Sequence, residues 1–495
     1  MNCYDFDKTI YRYDSSLKFY FYCLRKKPKM IFHFIKTLFL YICNMIGLLA
    51  TKSFKEKFFS FLKYFNNIDE IVEKFWDKNI SKINSWYFEN CKDSDIICSA
   101  SPKFLVEPAI KKINKNVTVI ATNMDKTSGK ITGENLKGEE KVKELCKILN
   151  VQKDFLNFDE VYTDSLSDFP ILDLAKNKYI VCGKKYYTFG KQKPTFFQKI
   201  KYLIKQLRVK HYVKNGLIFM PLFFSGNLSD INFVLKSVLG FCSFCLMASF
   251  VYIVNDLFDV KNDRKHSKKR KRPIASYMIK EYEAIIIAIV LLIWSLSFTY
   301  LVVGFDLLVF AIIIGYGLIN LLYSLVLKNI PLVDVFILAS CYLFRIFYGG
   351  LIIDTPVSKW LYLTILCGAL FMGFGKRRNE LKMENETTRK VNRQYSYEFL
   401  DKNLYISLAM CLVFYSLWAI DFKGIDFGGL NQILLYATIP IVYFIMMRYS
   451  YNIEKMTNNG DPIDVLLKDY ILILSVFVFV ILIIVSIYFQ INIKI

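Results

Sequence analysis

The chain has 495 residues, 54% of them hydrophobic and 22% charged, and its formal net charge is +22 at pH 7. This length exceeds one ordinary domain, and the hydrophobic fraction favours a membrane protein over a soluble one. The basic surplus lies largely beside apolar runs, which favours contact with anionic lipid and argues against nucleic acid as a partner.

The apolar runs are unevenly distributed along the chain. They recur from about residue 216 onward, whereas the first 190 residues have a mixed composition. We therefore predict a folded domain at 1–190, a basic amphipathic connector at 191–212 and an all-α transmembrane domain at 213–495.

The chain begins with a very short apolar strand that runs into the pattern D-x-D-x-T, which contains Asp5 and Asp7. Two acids one residue apart leave the end of a strand in a similar direction. This geometry suits a nucleophile and a general acid that share one Mg²⁺ ion. A second short apolar strand ends at Ser99, Lys141 follows in T-G-x-N-x-K-G-E-E-K, and Asp164 lies in V-Y-T-D-S-L-S-D-F-P.

This order of acid pair, serine, lysine and acid pair resembles the haloacid dehalogenase superfamily, particularly its phosphoserine-phosphatase-like branch, over about residues 1–190. The resemblance implies an α/β, Rossmann-like domain with a helical cap. It implies the following roles: Asp5 attacks phosphorus, Asp7 protonates the leaving oxygen, Ser99 and Lys141 hold the phosphoryl oxygens, and Asp164 joins Asp5 and Asp7 at Mg²⁺ with Asp168 in support. An aspartate that attacks a dianionic phosphate needs such cations and donors to offset repulsion. Lys8 stands where the family commonly has glycine.

An apolar stretch at 29–49 has two interpretations. A single membrane crossing there would put Asp5 on the opposite side from Lys141 and Asp164, so the phosphatase interpretation excludes it. We interpret the stretch as a cap helix that rests in the bilayer interface. A buried cap helix without lipid contact is the alternative.

Nine membrane spans are predicted from the apolar runs. They lie at 213–228, 236–256, 281–302, 306–327, 332–352, 359–375, 404–421, 431–448 and 470–490. Loops after the even-numbered spans carry Lys and Arg, whereas loops after the odd-numbered spans hold almost none. This alternation predicts a multi-pass protein of the cytoplasmic membrane, with the N-terminal domain in the cytoplasm and the C-terminus outside.

The stretch from Asn255 to Ser276 places three carboxylates after an apolar run. Asp256, Asp259 and Asp263 fall within roughly 60° of one another on a helix, at about 100° per residue. Clustered anions there are costly unless a divalent cation neutralises them, and Mg²⁺ suits carboxylate and phosphate oxygens. The following basic run supplies charge that pairs with phosphate, and we assign this role to Lys268 and Arg272.

The N-D-x-x-D-x-x-x-D spacing and the following R-P-I-A resemble the first aspartate motif of the UbiA superfamily of intramembrane prenyltransferases. The resemblance implies that Asp256 and Asp259 are catalytic through bound Mg²⁺ and that Asn255 contacts the substrate. Lys214, at the opening of the first predicted span, stands where that superfamily has a lysine at its diphosphate site. An unpaired lysine there could also simply extend its ammonium group to the interface.

Further polar residues of the membrane domain follow a less common pattern. Most UbiA aromatic prenyltransferases carry a second D-x-x-x-D, but here Asp334 stands alone and Arg345 follows eleven residues later. An arginine deep in an apolar helix is expensive and needs an anionic partner. The lone Asp334, the Arg-x-x-x-Gly-Gly that begins at Arg345 and the G-K-R-x-x-E-L segment around Lys376 together resemble the decaprenyl-phosphate phosphoribosyltransferase branch over about residues 205–490. We also assign substrate contacts to Tyr323, on the preceding predicted helix, and to Lys328, which follows that helix.

That branch transfers phosphoribose from phosphoribosyl diphosphate to a polyprenyl phosphate, so the resemblance implies these two substrates and one Mg²⁺ ion in each domain. We interpret the fusion as a bifunctional enzyme whose phosphatase domain removes the 5-phosphate from the lipid-linked product, for pentose donors of the cell envelope. The alternatives are prenylation of an aromatic or other small acceptor beside an independent phosphatase, and a membrane scaffold with decayed sites. A homo-oligomer is compatible with each of them.

Overall fold

The computed structural model describes residues 1–46, 49–113, 116–266, 269–382, 394–422, 430–455 and 469–489. The chain divides into two compact units. The first comprises Met1–Gln206 with Asp259–Glu281, and the second comprises Leu207–Phe258 with Tyr282–Ile495. Lys268, which we predict to bind phosphate, lies outside the described residues.

The first unit is built on one six-stranded sheet. Its strands are β1 Cys3–Tyr4, β2 Ile96–Pro102, β3 Thr118–Thr122, β4 Phe158–Thr163, β5 Ala175–Cys182 and β6 Lys185–Thr188. The order is β3-β2-β1-β4-β5-β6, with parallel pairing throughout except for β6, which is antiparallel to β5. This confirms an α/β N-terminal domain, with a mixed sheet. The loops after β1, β2 and β4 meet at one edge, where ligands bind in such sheets.

Helices fill the long connection between β1 and β2 and the shorter ones after it. They are α1 Ser15–Lys26, α2 Ile31–Ile46, α3 Thr51–Phe59, α4 Ile68–Asn79, α5 Ser85–Asn90, α6 Lys103–Lys111, α7 Glu139–Leu149, α8 Phe169–Leu172 and α9 Phe196–Leu207. The first five form the cap. Trp76 of α4 packs edge-on against Phe6 after β1, with ring centroids 5.8 Å apart. Its indole nitrogen donates to the carbonyl of Leu105, 2.8 Å away, so cap and sheet share one core.

Helix α2 covers most of the ambiguous apolar stretch. It has 16 residues, fewer than the roughly 20 needed to cross a bilayer. Several of its large apolar side chains are exposed, including Phe32, Ile35 and Phe39. This face of the helix is therefore not buried, and its contact with lipid stays a prediction.

The second unit is helical. It begins with an irregular 3₁₀ segment, Val209–Phe219. Its helices are α10 Met220–Phe224, α11 Ile231–Phe258, α13 Glu281–Val303, α14 Leu307–Leu325, α15 Val333–Ile352, α16 Lys359–Lys382, α17 Tyr397–Ile420, α18 Leu430–Lys455 and α19 Tyr470–Tyr488. The short helix α12, Val260–Lys265, lies in the first unit. Among the described residues, seven of these helices are long and apolar enough to cross a membrane: α11, α13, α14, α15, α17, α18 and α19. The protein is thus a multi-pass membrane protein.

Two of the nine predicted spans are not among these seven helices. Residues 213–228 form the end of the 3₁₀ segment and the five-residue α10, with Gly226 in a left-handed conformation at φ 76°, so no continuous spanning helix forms. Residues 359–375 do lie in a helix, α16. Its uncharged part between Lys359 and Lys376 is only 16 residues long, because basic residues stand at both ends.

Glycine allows the 3₁₀ segment to approach α15 closely. A Cβ atom at Gly349 would lie 2.2 Å from the carbonyl oxygen of Ile218, a distance that no side chain tolerates. Small residues at helix interfaces allow such backbone contact. The close approach brings Asn215 of the 3₁₀ segment to the face of α15 that carries Arg345.

Candidate active sites

The first candidate site lies at the carboxyl edge of the sheet in the first unit. Asp5 follows β1, and its backbone N–H donates to the carbonyl of Tyr162 in β4, 2.9 Å away. The Nζ atom of Lys141 donates both to Asp5 Oδ1 and to Asp168 Oδ2, each at 2.9 Å. Lys141 is only 3% exposed. Asp5, Lys141 and Asp168, which are far apart in sequence, are therefore brought together as predicted from their order.

Asp7 is held by the cap and by β2. Its Oδ1 atom accepts from the backbone N–H of Ser15, 2.8 Å away, at the start of α1. Its Oδ2 atom accepts a short hydrogen bond from the hydroxyl of Ser101. The predicted Ser99 is buried two residues earlier on the same strand, and its Oγ atom accepts a hydrogen bond from the N–H of Ser101 at 3.1 Å. Sequence reasoning missed Ser101, although residues two apart on a strand share a face.

The loop after β1 is tied to the loop after β4. The N–H of Asp164 donates to the hydroxyl of Thr9, 3.0 Å away, so the threonine of D-x-D-x-T anchors the second acidic loop. Lys8 adopts a φ of 55°, in the left-handed region that favours glycine. Its positive charge lowers the pKa of Asp164, although burial keeps that pKa raised overall. Lys8 thus adopts a strained backbone conformation, and its side chain places a positive charge near the site.

Burial shapes the protonation of these acids. It raises the pKa of Asp5 to about 6 and those of Asp7 and Asp164 to about 7, and the charge of Asp5 adds to the shift at Asp164. Burial opposes the charge on Lys141, but Asp168 and Asp5 outweigh it and hold the pKa of Lys141 well above its ordinary value. The single positive charge of Lys141 therefore faces more than one buried carboxylate, so negative charge is in excess at this site.

This surplus fits a divalent cation. Among the described residues no group of three or more His, Cys, Asp or Glu side chains could hold a metal by itself. Mg²⁺, however, is usually held by one or two carboxylates, waters and substrate phosphate. The Asp5 and Asp164 carboxylates fit that pattern, because their mutual repulsion is what a cation relieves. Both carboxylate oxygens of Asp7 already accept hydrogen bonds, from Ser15 and Ser101, so contact between Asp7 and Mg²⁺ stays a prediction.

Replacing Ser101 with alanine should move the pH profile of the phosphatase. The Ser101 hydroxyl stabilises charged Asp7 and lowers its pKa, opposing the effect of burial. A general acid must be protonated, so activity is lost as pH rises through the pKa of Asp7. In Ser101→Ala the alkaline limb of kcat/KM should therefore shift to higher pH. If Ser101→Ala and the intact protein lose activity at the same alkaline pH, the Ser101 hydroxyl does not set the pKa of Asp7.

The cap adds a cation that the sequence did not reveal. Lys55 of α3 donates from Nζ to the carbonyl of Ala100 at 2.9 Å and to Asn135 Oδ1 at 2.7 Å. Burial lowers the pKa of Lys55 to about 8. Both partners are neutral, and the described residues offer Lys55 no carboxylate within ion-pair distance. Its charge is thus available to an anionic substrate group beside Asp7.

In the second unit, Arg345 is a buried cation surrounded by neutral groups. Its Nε donates to Asn215 Oδ1 at 2.8 Å, one terminal nitrogen donates to the hydroxyl of Tyr316 at 3.1 Å, and the other donates to the carbonyl of Cys341. The aromatic rings of Phe244 and Tyr316 lie within 5.3 Å of the guanidinium carbon. Within the described ranges, no carboxylate neutralises it. A buried guanidinium without a counter-charge is suited to an anionic ligand.

Asp334, in contrast, is fully engaged. Its carboxylate accepts from Arg377 Nε at 2.6 Å and from the Tyr395 hydroxyl at 2.7 Å, and it has no exposed surface. Arg377 also contacts Glu380 at 2.7 Å and the hydroxyl of Tyr323 at 3.3 Å. Sequence reasoning singled out Asp334 and Tyr323 but not their shared partner, Arg377, which it included only as part of the G-K-R-x-x-E-L segment. Substrate contact by Asp334 and Tyr323 stays a prediction.

The first aspartate motif is divided between the two units. Asp256 lies in the last turn of α11 in the second unit, and its Oδ1 accepts from Arg208 at 2.6 Å. Asp259 precedes α12 in the first unit, and Asp263 within α12 accepts from Arg272 at 2.7 Å. Arginines thus occupy part of the role expected for a metal ion, and a shared Mg²⁺ site stays a prediction.

One atom of this motif supports a ligand. The Oδ1 atom of Asn255 is buried and, among the described residues, has no hydrogen-bond partner. An amide oxygen is a ligand that Mg²⁺ accepts. The remaining predicted cations occupy separate elements: Lys214 the 3₁₀ segment, Lys328 a short turn at Leu327–Asn329, and exposed Lys376 helix α16. Their contacts with substrate stay predictions.

The described part of the chain contains seven candidate spans and an α/β domain with an Asp–Lys–Asp centre, formed by Asp5, Lys141 and Asp168. These features define a membrane protein with a fused hydrolase domain. The haloacid dehalogenase-like hydrolase family matches residues 3–173, and the UbiA prenyltransferase family matches residues 218–463. The chain belongs to the UbiA prenyltransferase family and carries an N-terminal haloacid dehalogenase-like hydrolase domain. Both resemblances drawn from the motifs are thereby confirmed.

The similar proteins include phosphoribosyltransferases. The decaprenyl-phosphate phosphoribosyltransferase of Mycolicibacterium smegmatis is 32% identical over 284 residues, which cover 54% of this chain and 87% of that protein. The enzyme of the same name from Corynebacterium glutamicum is 29% identical over 294 residues, with 58% and 86% covered. A solved UbiA homologue from Archaeoglobus fulgidus bound to GPP and Mg²⁺ is 19% identical, covers 58% of this chain and 99% of its own, and has a TM-score of 0.44.

Proposed function

We propose that the protein is a bifunctional membrane enzyme. Its UbiA domain transfers 5-phosphoribose from phosphoribosyl diphosphate to a polyprenyl phosphate, and its hydrolase domain removes the 5-phosphate from the lipid product. The observation that carries this proposal is the union, in one chain, of a domain related to decaprenyl-phosphate phosphoribosyltransferases with an assembled Asp–Lys–Asp centre.

The transferase half is supported by the charges of the second unit. Both substrates are phosphate esters, so the site needs buried cations that are not already neutralised by protein acids. Arg345 meets this requirement, because its three hydrogen-bond partners are neutral. In the transfer, the bond between the anomeric carbon and the diphosphate oxygen breaks, and an oxygen of the lipid phosphate forms the new bond. Mg²⁺ would stabilise the charge on the departing diphosphate.

The phosphatase half follows from the geometry around Asp5. The carboxylate would attack the 5-phosphate, while Asp7 would give its proton to the departing ribose oxygen. Water would then hydrolyse the aspartyl phosphate, which releases inorganic phosphate and restores Asp5. Lys141 offsets the negative charge that gathers on Asp5 and the phosphoryl oxygens. The raised pKa of Asp7, about 7, keeps a protonated fraction available near neutral pH. Lys55 would contact the phosphodiester that links the ribose to the lipid.

A donor-label assay tests the transferase. The purified protein in lipid vesicles is given polyprenyl phosphate and phosphoribosyl diphosphate labelled in the ribose, and the lipid fraction is analysed by mass spectrometry. Label should enter the lipid fraction only when polyprenyl phosphate and Mg²⁺ are both present, and the product should lack the 5-phosphate. Labelled prenyl diphosphate with an aromatic acceptor serves as the comparison. Turnover in that arm alone would overturn the proposal.

A further inference from the structure

Helix α2 of the cap exposes a continuous apolar stripe. Phe32 is 77% exposed, Ile35 61% and Phe39 66%, and the side chains of Ile31 and Leu38 are also exposed. At 100° per residue these five positions fall within about 120° of the helix circumference. Single exposed apolar residues are ordinary on protein surfaces, whereas a contiguous stripe marks an interaction surface.

The opposite face of α2 fixes the orientation of this stripe. His33 contacts the hydroxyls of Tyr20 and Ser60, each at 3.0 Å, and its neighbour Phe34 packs against the core of the cap. Thr37 is buried and donates to the carbonyl of His33 at 2.7 Å. The helix therefore has a polar and aromatic anchor on its inner side, and rotation that would hide the stripe would break these contacts.

The charge around α2 has one sign. No acidic residue occurs between Asp14 and Glu56, whereas this interval contains eight lysines and arginines. Exposed basic side chains stand just before the stripe and at its edge: Arg25, Lys26, Lys27, Lys29 and Lys36. An apolar stripe bordered by cations matches the boundary between anionic headgroups and acyl chains.

A second helix of the first unit has the same character. On α9, Phe196 is 72% exposed and Phe197 82%, and Ile200 and Ile204 continue the stripe at helical spacing. Its buried residues include Tyr202 and Gln206. The chain crosses between this unit and the helical unit at three places: it leaves after Gln206, returns at Asp259 and leaves again after Glu281. The α9 stripe lies in the helix that directly precedes the first of these crossings.

We propose that the α2 stripe is a membrane-docking surface, whose occupant is the anionic face of the bilayer that the same chain spans. The aromatic and aliphatic side chains insert at the level of the headgroups, and the flanking cations pair with lipid phosphates. The cap that carries Lys55 is thereby held at the lipid surface. If the proposed function holds, a phosphomonoester attached to a lipid is hydrolysed without leaving the membrane.

Photocrosslinking tests the docking surface directly. Full-length protein with a photoreactive phenylalanine analogue at position 39 is placed in vesicles of phosphatidylglycerol and phosphatidylcholine that contain radiolabelled phosphatidylglycerol. The matched control carries the analogue at Phe155, which is 76% exposed in the same unit and belongs to a short 3₁₀ turn. Lipid label should attach at position 39 and not at position 155. Equal labelling, no labelling, or crosslinking at position 39 to protein would overturn the proposal.

An enzymatic arm separates this inference from the proposed function. The triple variant Phe32→Ser, Ile35→Ser and Phe39→Ser and the control Phe155→Ser are compared on a vesicle-bound lipid phosphomonoester and on soluble ribose 5-phosphate. The triple variant should lose at least about tenfold in rate on the lipid substrate and little on the soluble one. Equal losses on both substrates would indicate a folding defect and contradict docking. Crosslinking without any lipid phosphatase activity in the wild type would overturn only the proposed substrate.

Discussion

Asparagine in place of Asp5 is expected to lower phosphatase turnover by about 10³-fold or more, while phosphoribosyl transfer continues. An amide cannot attack phosphorus, and the carboxylate of Asp7, two residues further on, is held by Ser15 and Ser101. Asp168 shares Lys141 with Asp5 but is tied to the Thr163 hydroxyl at 2.9 Å. The substitution preserves size, so the sheet edge should remain folded.

The readout is the lipid product. With phosphoribosyl diphosphate and polyprenyl phosphate, Asp5→Asn should accumulate the lipid that still carries the 5-phosphate, whereas the intact protein should release inorganic phosphate from it. Asp125→Asn is the matched control, because this acid is exposed on the same unit and its side chain, among the described residues, accepts hydrogen bonds from its own turn. If intact protein and Asp5→Asn accumulate the same phosphorylated lipid, the sequential scheme is wrong.

The hydrolase site was predictable where it depends on chain order. A two-residue strand before Asp5 and the apolar strand before Ser99 are visible in the sequence, and parallel strands bring their ends to one edge. The contacts of Ser101 and Lys55 were not visible. They depend on where α1 and α3 of the cap cross the sheet edge, and composition contains no record of that approach.

The membrane unit was less predictable, for two physical reasons. Hydropathy reports apolar content but not helical continuity, so the interrupted segment at 213–228 and the short uncharged part of α16 were both taken as spans. Hydropathy also does not report partners. Asp334 and Arg345 stand on the same helix, yet Asp334 is neutralised by Arg377 from α16, whereas Arg345 contacts neutral groups. The sequence alone did not show which of these two charged residues has a partner of opposite charge.

These two buried arginines should respond to substitution in opposite ways. Arg377→Met removes the partner 2.6 Å from Asp334 and leaves a fully buried carboxylate behind. Stranding a buried charge in this way costs about 3–5 kcal/mol, so the protein should unfold at a clearly lower temperature in detergent. The double variant Asp334→Leu with Arg377→Met removes both charges and should recover much of that loss. No recovery would contradict a role based on the ion pair.

Arg345→Met should leave stability less affected and activity more affected. No acid is stranded, since Asn215 and Tyr316 are neutral and can rebond locally. A charge-assisted hydrogen bond to a substrate phosphate contributes about 1.5–3 kcal/mol, so transfer should fall about 10- to 100-fold. Arg345→Lys should retain part of the activity, because it keeps the charge without the planar donor set. If Arg345→Met unfolds as readily as Arg377→Met and retains full transfer when folded, Arg345 holds the helices together and does not bind phosphate.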